Sequence, residues 1–397
     1  MTAAIRQYLV ITGNYWAFTL TDGALRMLVV LHFHQLGYAP LDIALLFVFY
    51  EFFGVVTNLV GGYLGARMGL NRTMNLGLLL QIVALAMLAV PAAALTVPWV
   101  MAAQALSGIA KDLNKMSAKS GIKLLVPDTE QGKLYKWVAV LTGSKNTLKG
   151  VGFFLGGVLL MTAGFKGAVI TMAAALTLIW LSSLFLLKRE LGKSKAKPKF
   201  TDMLSKSRPI NILSAARLFL FGARDVWFVV ALPVYLHTVF GWDFWQVGGF
   251  MACWIIGYGV IQTQAPRITG DLSGKTPAIL WAWALAVVPA AIAIGLATPI
   301  PPQLTVVIGL LLFGGLFAVN SSLHSYLIVS YARSDGVSLD VGFYYMSNAA
   351  GRLLGTLLSG WIYQTFGLEA CLWTSSAMVA VAALFATGLP ERNSTPA

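Results

Sequence analysis

The chain has 397 residues, of which 58% are hydrophobic and 11% charged, with a mean hydropathy of +0.76. A soluble protein of this size carries charge on about a quarter of its residues, so an ordinary soluble enzyme or binding domain is excluded. The formal net charge is +13, yet the basic residues are neither interleaved with aromatics nor placed on a soluble domain, which excludes a nucleic-acid partner.

Apolar runs of about 20 residues, long enough to cross ~30 Å of hydrocarbon, follow one another from end to end. They cover roughly 8–36, 42–65, 73–95, 98–120, 137–162, 167–187, 211–239, 244–266, 277–297, 302–330, 340–366 and 370–389. Lipid offers no partners to bare backbone groups, so these twelve runs are read as helices. The expected fold class is an all-α polytopic membrane protein, with twelve transmembrane helices in two pseudo-symmetric six-helix bundles. The first run is too long for a cleavable signal, and no small-residue cleavage site follows it.

Of 28 Lys and Arg residues, 18 fall in the N-terminal tail, the even-numbered loops and the C-terminal tail; only Lys166 falls in an odd-numbered loop. By the positive-inside rule both termini and the middle loop are cytoplasmic, and the expected location is the cell inner (cytoplasmic) membrane, crossed many times. The stretch Lys188–Pro209 is the only sizeable polar segment. It divides the chain into an N-terminal bundle (1–187), a basic cytoplasmic linker (188–210) and a C-terminal bundle (211–397). Cys253 and Cys371 fall on separate helices and are read as free buried thiols.

The halves resemble each other at an offset of about 202–206 residues: Gly37 with Gly241, His34 with His237, Asn146 with Asn348, Asn114 with Asn320, and Asp22 with Asp225. Such weak symmetry is the mark of a transporter with its substrate held between repeats. Helix 5 (Gly152, Gly156, Gly157) and helix 11 (Gly351, Gly355, Gly360) carry small residues at the spacing that lets helices approach closely.

Nine cations lie inside the apolar runs: Arg26, Lys111, Lys115, Lys119, Lys145, Lys149, Arg217, Arg224 and Arg352. Four anions accompany them: Asp22, Glu51, Asp112 and Asp225. An ionisable group at membrane depth marks a substrate or ion path by default, and an excess of five positive charges asks for an anionic cargo. Lys111, Lys115 and Lys119 recur at i, i+4, i+8, as do Lys145 and Lys149 at i, i+4, so each set lines one helix face. At ~1.5 Å per residue, Lys149 and Arg352 lie about 18 Å into their helices, near the midplane. Lys119 and Arg217 stand near cytoplasmic ends and are read chiefly as snorkelling outward. Arg26, Lys111, Lys115, Lys145, Lys149, Arg352 and, less centrally, Arg224 are the candidate substrate-binding residues. Guanidinium groups grip an oxyanion bidentately, where lysines act as point charges.

Asp22, Glu51, Asp112 and Asp225 are candidates for charge compensation or proton coupling; Glu51 is equally readable as a structural partner of a nearby Arg or Tyr. Asn114, Asn146, Asn320, His324 and Asn348 are polar candidates for the cavity wall. Gln104 and Ser107 extend the stripe on helix 4. His32 and His34 are read as rim residues. The stretch Gly270–Thr276 resembles a phosphate-binding loop, but it is one residue short and follows no strand. No metal cluster, catalytic triad or nucleotide fold is read, so neither an enzyme, a metal nor a cofactor is expected.

The loop Gly62-Tyr-Leu-Gly65-Ala66-Arg67-Met-Gly69-Leu70-Asn71-Arg72 resembles the loop motif of the major facilitator superfamily, G-x-x-x-D-R-x-G-R-R, with Ala66 in place of its Asp. Asn14–Tyr38, Phe49–Gly62, Ala105–Pro127 and Gly342–Trp361 further resemble one branch of it. These are the organoarsenical efflux permeases of bacterial arsenic-resistance operons, the ArsJ type. The resemblance implies export of 1-arseno-3-phosphoglycerate, an ester that a glyceraldehyde-3-phosphate dehydrogenase makes when arsenate replaces phosphate. That enzyme is therefore an implied functional partner, and arsenate resistance the implied outcome. The substrate carries two anionic ends and pentavalent arsenic, which is bound through oxygens and does not ask for clustered thiolates.

The reading is thus an efflux permease for a small organic oxyanion, working by alternating access as an antiporter in the bilayer. An organic phosphate/phosphate exchanger of the same fold remains open, as does, from another class, a non-transporting membrane sensor.

Overall fold

In the computed structural model, residues 3–38, 46–126, 130–187, 191–194, 199–204, 207–270 and 274–390 are described. Among them there is no strand. The helices are α1 (Ala3–Gln35), α2 (Val48–Met68), α3 (Leu70–Leu88), α4 (Val97–Leu125), α5 and α6 within Gln131–Leu186, α7 (Arg208–Phe228) and α8 (Ala231–Thr238). They continue with α9 (Phe244–Thr269), α10 (Lys275–Leu296), α11 (Pro302–Tyr331), and α12 and α13 within Val337–Thr387.

Gly164 (φ 66°) separates α5 (131–163) from α6 (165–186), and Gly367 (φ 81°) separates α12 (337–366) from α13 (368–387). Both glycines take the left-handed backbone that side chains resist, so each hydrogen-bonded stretch turns back on itself without a loop. Counted at these breaks, and with α7 and α8 taken as one pass, the described residues agree with about twelve crossings.

Among the described residues, six stretches are long and apolar enough to cross a membrane: Leu70–Leu88, Gln131–Leu186, Arg208–Thr238, Lys275–Leu296, Pro302–Tyr331 and Val337–Thr387. The Gln131–Leu186 and Val337–Thr387 stretches each hold a helix pair. The basic segment 188–210 and the phosphate-loop-like stretch fall in part outside the described residues (188–190, 195–198, 205–206 and 271–273).

By contacts the chain forms two compact units. The first holds Met1–Glu130, Ser144–Ser205 and Ala332–Met346; the second holds Gln131–Gly143, Lys206–Tyr331 and Ser347–Ala397. The start of α5 thus packs with the second unit and the start of α12 with the first.

Within the first unit, α1 and α5 meet at Gly23 and Gly152. A Cβ on Gly23 would lie 2.6 Å from the Lys149 carbonyl oxygen, and one on Gly152 would lie 2.6 Å from that of Leu20. Lipid tails are as apolar as leucine, so close backbone approach and interhelical polar contacts, rather than water exclusion, hold such helices together. Within the second unit, α7 and α12 meet in the same way at Gly222, Gly351 and Gly355. An aromatic core of Trp227, Trp254, Tyr258, Phe313 and Phe317 fills that unit, and the Trp254 indole donates to the Leu310 carbonyl at 2.9 Å.

These contacts correct the repeat. Gly23, Gly152 and Gly156 match Gly222, Gly351 and Gly355 at an offset of 199, so Asp22 and Asp225, and Asn146 and Asn348, are not symmetry mates. At 199, Lys149 matches Asn348 and Arg26 matches Asp225. Asn114 and Asn320 do behave alike: each amide donates to the carbonyl four residues back, at 2.9 Å. The amide of Asn114 also crowds Gly77 of α3, and that of Asn320 bonds the Trp281 carbonyl of α10.

Candidate functional site

The first unit gathers six of the nine intramembrane cations around three carboxylates. On α4, Asp112 lies between two lysines, with its oxygens 2.5 Å from Lys115 Nζ and 3.9 Å from Lys111 Nζ. From α1, Arg26 pairs with Glu51 of α2 at 3.1 Å, the structural partnership open to Glu51. Asp22 accepts a hydrogen bond from the Tyr50 hydroxyl at 2.7 Å.

Like charges at one-turn spacing repel, and aromatic faces as well as carboxylates offset that here. The Tyr50 ring carries Lys111 Nζ at 3.8 Å and the Arg26 guanidinium at 4.7 Å. Tyr345 carries Lys115 at 4.8 Å and Lys119 at 5.0 Å. A ring face attracts a cation without cancelling its charge, so the cluster keeps a formal excess of three positive charges.

Lys149 is the distinctive member. The α1–α5 glycine contact sets it beside the Asp22–Arg26 turn, where it is half-buried. Among the described residues no group closes a hydrogen bond or ion pair on its ammonium. Its electrostatic neighbours are Arg26, Lys145 and Lys111 on the repulsive side and Asp22 on the attractive side. Lys145 and Asn146 are half-buried one turn earlier on α5.

The second unit has a parallel arrangement built on arginine. Asp225 of α7 is fully buried and bridges Arg224 at 2.5 Å and Arg352 of α12 at 3.1 Å. Arg217 donates to Asn348 Oδ1 at 2.9 Å and to the Ser321 carbonyl at 3.3 Å. The Phe221 ring lies under both Arg217, at 3.8 Å, and Arg224, at 5.0 Å. His324 is buried in electrostatic range of Arg217, and its Nδ1 has no partner among the described residues.

Several expectations change. Lys119 and Arg217 do not snorkel: both are 3% exposed, held by an aromatic face and, for Arg217, by a buried amide and carbonyl. Asn114 and Asn320 are fully buried, with their amides packed into helix contacts. Gln104 and Ser107 are likewise buried. His32 stacks on Phe165, with ring centroids 4.2 Å apart, while the side chain of His34 lies outside the described residues. Ala66 is buried with Met203 and Leu339, an apolar setting unsuited to the carboxylate of the usual loop motif.

Tyr50, Tyr345 and Phe221 were not legible as site residues, because pairing one ring with two cations depends on which helices meet. The apolar run 98–120 stops short of Lys123, which lies on α4 and is buried. No group of three or more His, Cys, Asp and Glu residues able to hold a metal is present among the described residues. A groove of about 560 Å³ lined by Asn71, Arg72, Asn75, Leu184, Phe185 and Leu187 contains none of these cations.

Solved structures share the fold. The human organic anion transporter MFSD10 (TETRAN) is 18% identical, with a TM-score of 0.72 over 97% of this chain and 100% of that one. The fucose:proton symporter FucP of E. coli is 12% identical, with a TM-score of 0.77 over 98% and 100%. A bacterial homologue of the iron transporter ferroportin is also 12% identical, with a TM-score of 0.74 over 98% and 99%. A search of curated protein sequences found no match. Residues 10–339 match the Major Facilitator Superfamily, and the chain, an all-helical multi-pass membrane protein, belongs to that family of transporters.

Proposed function

We propose that this transporter carries a small organic oxyanion, and that the Lys149 cluster is where the anion binds. The observation that carries the reading is the Lys149 ammonium, half-buried among three other cations with no ion pair or hydrogen bond among the described residues. An ammonium at membrane depth is stabilised by a partner, and an anionic substrate supplies one here. Asp112 and Glu51 hold the neighbouring cations in place while the site is empty. A cationic cargo is disfavoured by the same field.

The substrate we assign is 1-arseno-3-phosphoglycerate, exported by alternating access with arsenate resistance as the result. The sequence resemblance supports the arsenic, and the separated cations suit a substrate with two anionic ends. The setting we propose is the inner membrane, with cytoplasmic termini, bundles at 1–187 and 211–397 joined by the 188–210 linker, and a glyceraldehyde-3-phosphate dehydrogenase supplying the ester. The test is uptake into everted vesicles, comparing the arseno-ester, phosphoglycerate and phosphate with and without a proton gradient. Saturable uptake of the arseno-ester supports the assignment. Uptake only of phosphoglycerate against internal phosphate makes the chain an organic phosphate/phosphate exchanger, and uptake of none of the three overturns the anion reading.

A further inference from the structure

The groove where α3 and α6 meet takes no part in the cation cluster, yet it has an arginine of its own. One wall is Asn71, Arg72 and Asn75 of α3, and the other is Leu184, Phe185 and Leu187 at the end of α6. It lies at the membrane face that carries the start of α1, because Gln7 Nε2 donates to the Leu186 carbonyl at 2.9 Å. A chain of hydrogen bonds holds the two walls together. Asn14 of α1 donates to Ser183 Oγ of α6 at 2.8 Å, and Ser183 donates to Asn75 Oδ1 at 2.6 Å. The Leu70 N–H donates to the Leu191 carbonyl at 2.8 Å, which brings the chain beyond α6 back against the start of α3.

These bonds use the Asn75 oxygen and leave its amide N–H groups without a partner among the described residues. Arg72, exposed in the first turn of α3, likewise has no ion pair or hydrogen bond among the described residues. The partial positive charge of the helix N-terminus adds to that of its guanidinium, and the described lining holds no carboxylate. This end of the groove therefore offers positive charge and N–H donors. Away from it both helices turn apolar. On α3, Arg72 and Asn75 share a face with Leu79 and Val83, both exposed, and that face runs ~16 Å from Arg72 to Val83. On α6, Phe185 is 87% exposed and is followed at one-turn steps by the exposed Leu181 and Leu178. A cationic, donor-rich end opening onto two exposed apolar stripes suits a phosphodiester head with acyl chains, and basic pockets between helices at the membrane surface hold such heads.

We propose that this groove binds one anionic phospholipid of the phosphatidylglycerol kind. The Arg72 guanidinium grips the phosphate through paired N–H donors, and the Asn75 amide donates to a phosphate or ester oxygen. The acyl chains lie along Leu79 and Val83 on one side and Phe185, Leu181 and Leu178 on the other. A zwitterionic head brings an ammonium to a lining that holds no carboxylate among the described residues, so it binds less tightly. The bound lipid ties α3 to α6 and, through Ser183 and Asn14, both of them to α1, which carries Asp22 and Arg26 of the cation cluster. The site stands apart from the substrate assignment and does not depend on it.

The test is native mass spectrometry of the delipidated, monodisperse full chain, with the thermal midpoint read in parallel. The probes are phosphatidylglycerol, phosphatidylcholine with the same acyl chains, and inorganic phosphate. The first phosphatidylglycerol should bind about tenfold more tightly than the first phosphatidylcholine, the worth of a charge-assisted contact, and should raise the midpoint more. Arg72→Gln should abolish that preference and Arg72→Lys should keep part of it. Arg267→Gln, the same charge change at an exposed arginine of α9, should keep all of it. Equal affinity for the two lipids in the parent overturns the proposal, as does a preference that survives Arg72→Gln or is lost equally in Arg267→Gln. A midpoint rise with inorganic phosphate that Arg72→Gln abolishes would give the groove to a free anion and overturn the lipid assignment.

Discussion

Replacing Asp225 with Asn removes one charge from the best-defined ion cluster of the second unit and leaves its shape intact. The carboxylate is fully buried and holds Arg224 with one oxygen and Arg352 with the other. Asparagine offers a single acceptor and turns an amide N–H toward one guanidinium. Breaking a buried pair costs ~3–5 kcal/mol. Because 16% of the Arg224 side chain and 30% of the Arg352 side chain remain exposed, water recovers part of that. The expected loss is therefore about 3 kcal/mol, at the lower end of the range. The assay is unfolding of the purified protein in mixed micelles titrated with SDS, run as a double-mutant cycle. With Arg352→Gln already present, Asp225→Asn should cost about 1–2 kcal/mol less than in the parent. Equal costs in both backgrounds, or a loss within ~0.5 kcal/mol as for an ordinary surface change, would refute the bridging role.

Gly351→Val drives a side chain into the Leu218 carbonyl, whereas Gly360 has nothing within 4 Å of a Cβ. Overpacking of this kind costs ~1–3 kcal/mol or more, so Gly351→Val should lower the thermal midpoint and Gly360→Ala should leave it within experimental scatter. Tyr50 separates ring from hydroxyl: Tyr50→Phe keeps the face under Lys111 and Arg26 but removes the 2.7 Å bond to Asp22. A hydrogen bond to a charged group is worth ~1.5–3 kcal/mol, so Tyr50→Phe should destabilise by that order in SDS unfolding. Tyr50→Leu, which also loses both cation contacts, should destabilise further.

Much of the architecture was legible because it rests on composition and periodicity. Twenty-residue apolar runs, a basic middle segment and lysines at helical spacing are linear features. The repeat offset was misjudged because amides, acids and loop glycines were matched by type. The helices are held in register by Gly23 against Gly152 and Gly222 against Gly351, and the importance of those pairs appears only when backbones meet. The same limit hid Tyr50, Tyr345 and Phe221. An aromatic in an apolar run looks like packing until two cations from different turns or helices are found on its face. Lys119 and Arg217 were placed at helix ends by counting residues, which says nothing of the neighbours that bury them. Asp112 between two lysines was visible from spacing alone, because all three share one helix.

The most direct measurement is transport by Lys149→Gln in everted vesicles, normalised to folded protein. Losing a charge-assisted contact of ~1.5–3 kcal/mol predicts a fall in kcat/KM for the arseno-ester of about ten- to a hundredfold or more, and arsenate resistance lost with it in intact cells. Wild-type transport by this variant would contradict the account, because an ammonium with no ion pair or hydrogen bond among the described residues would then have no part in binding the anion.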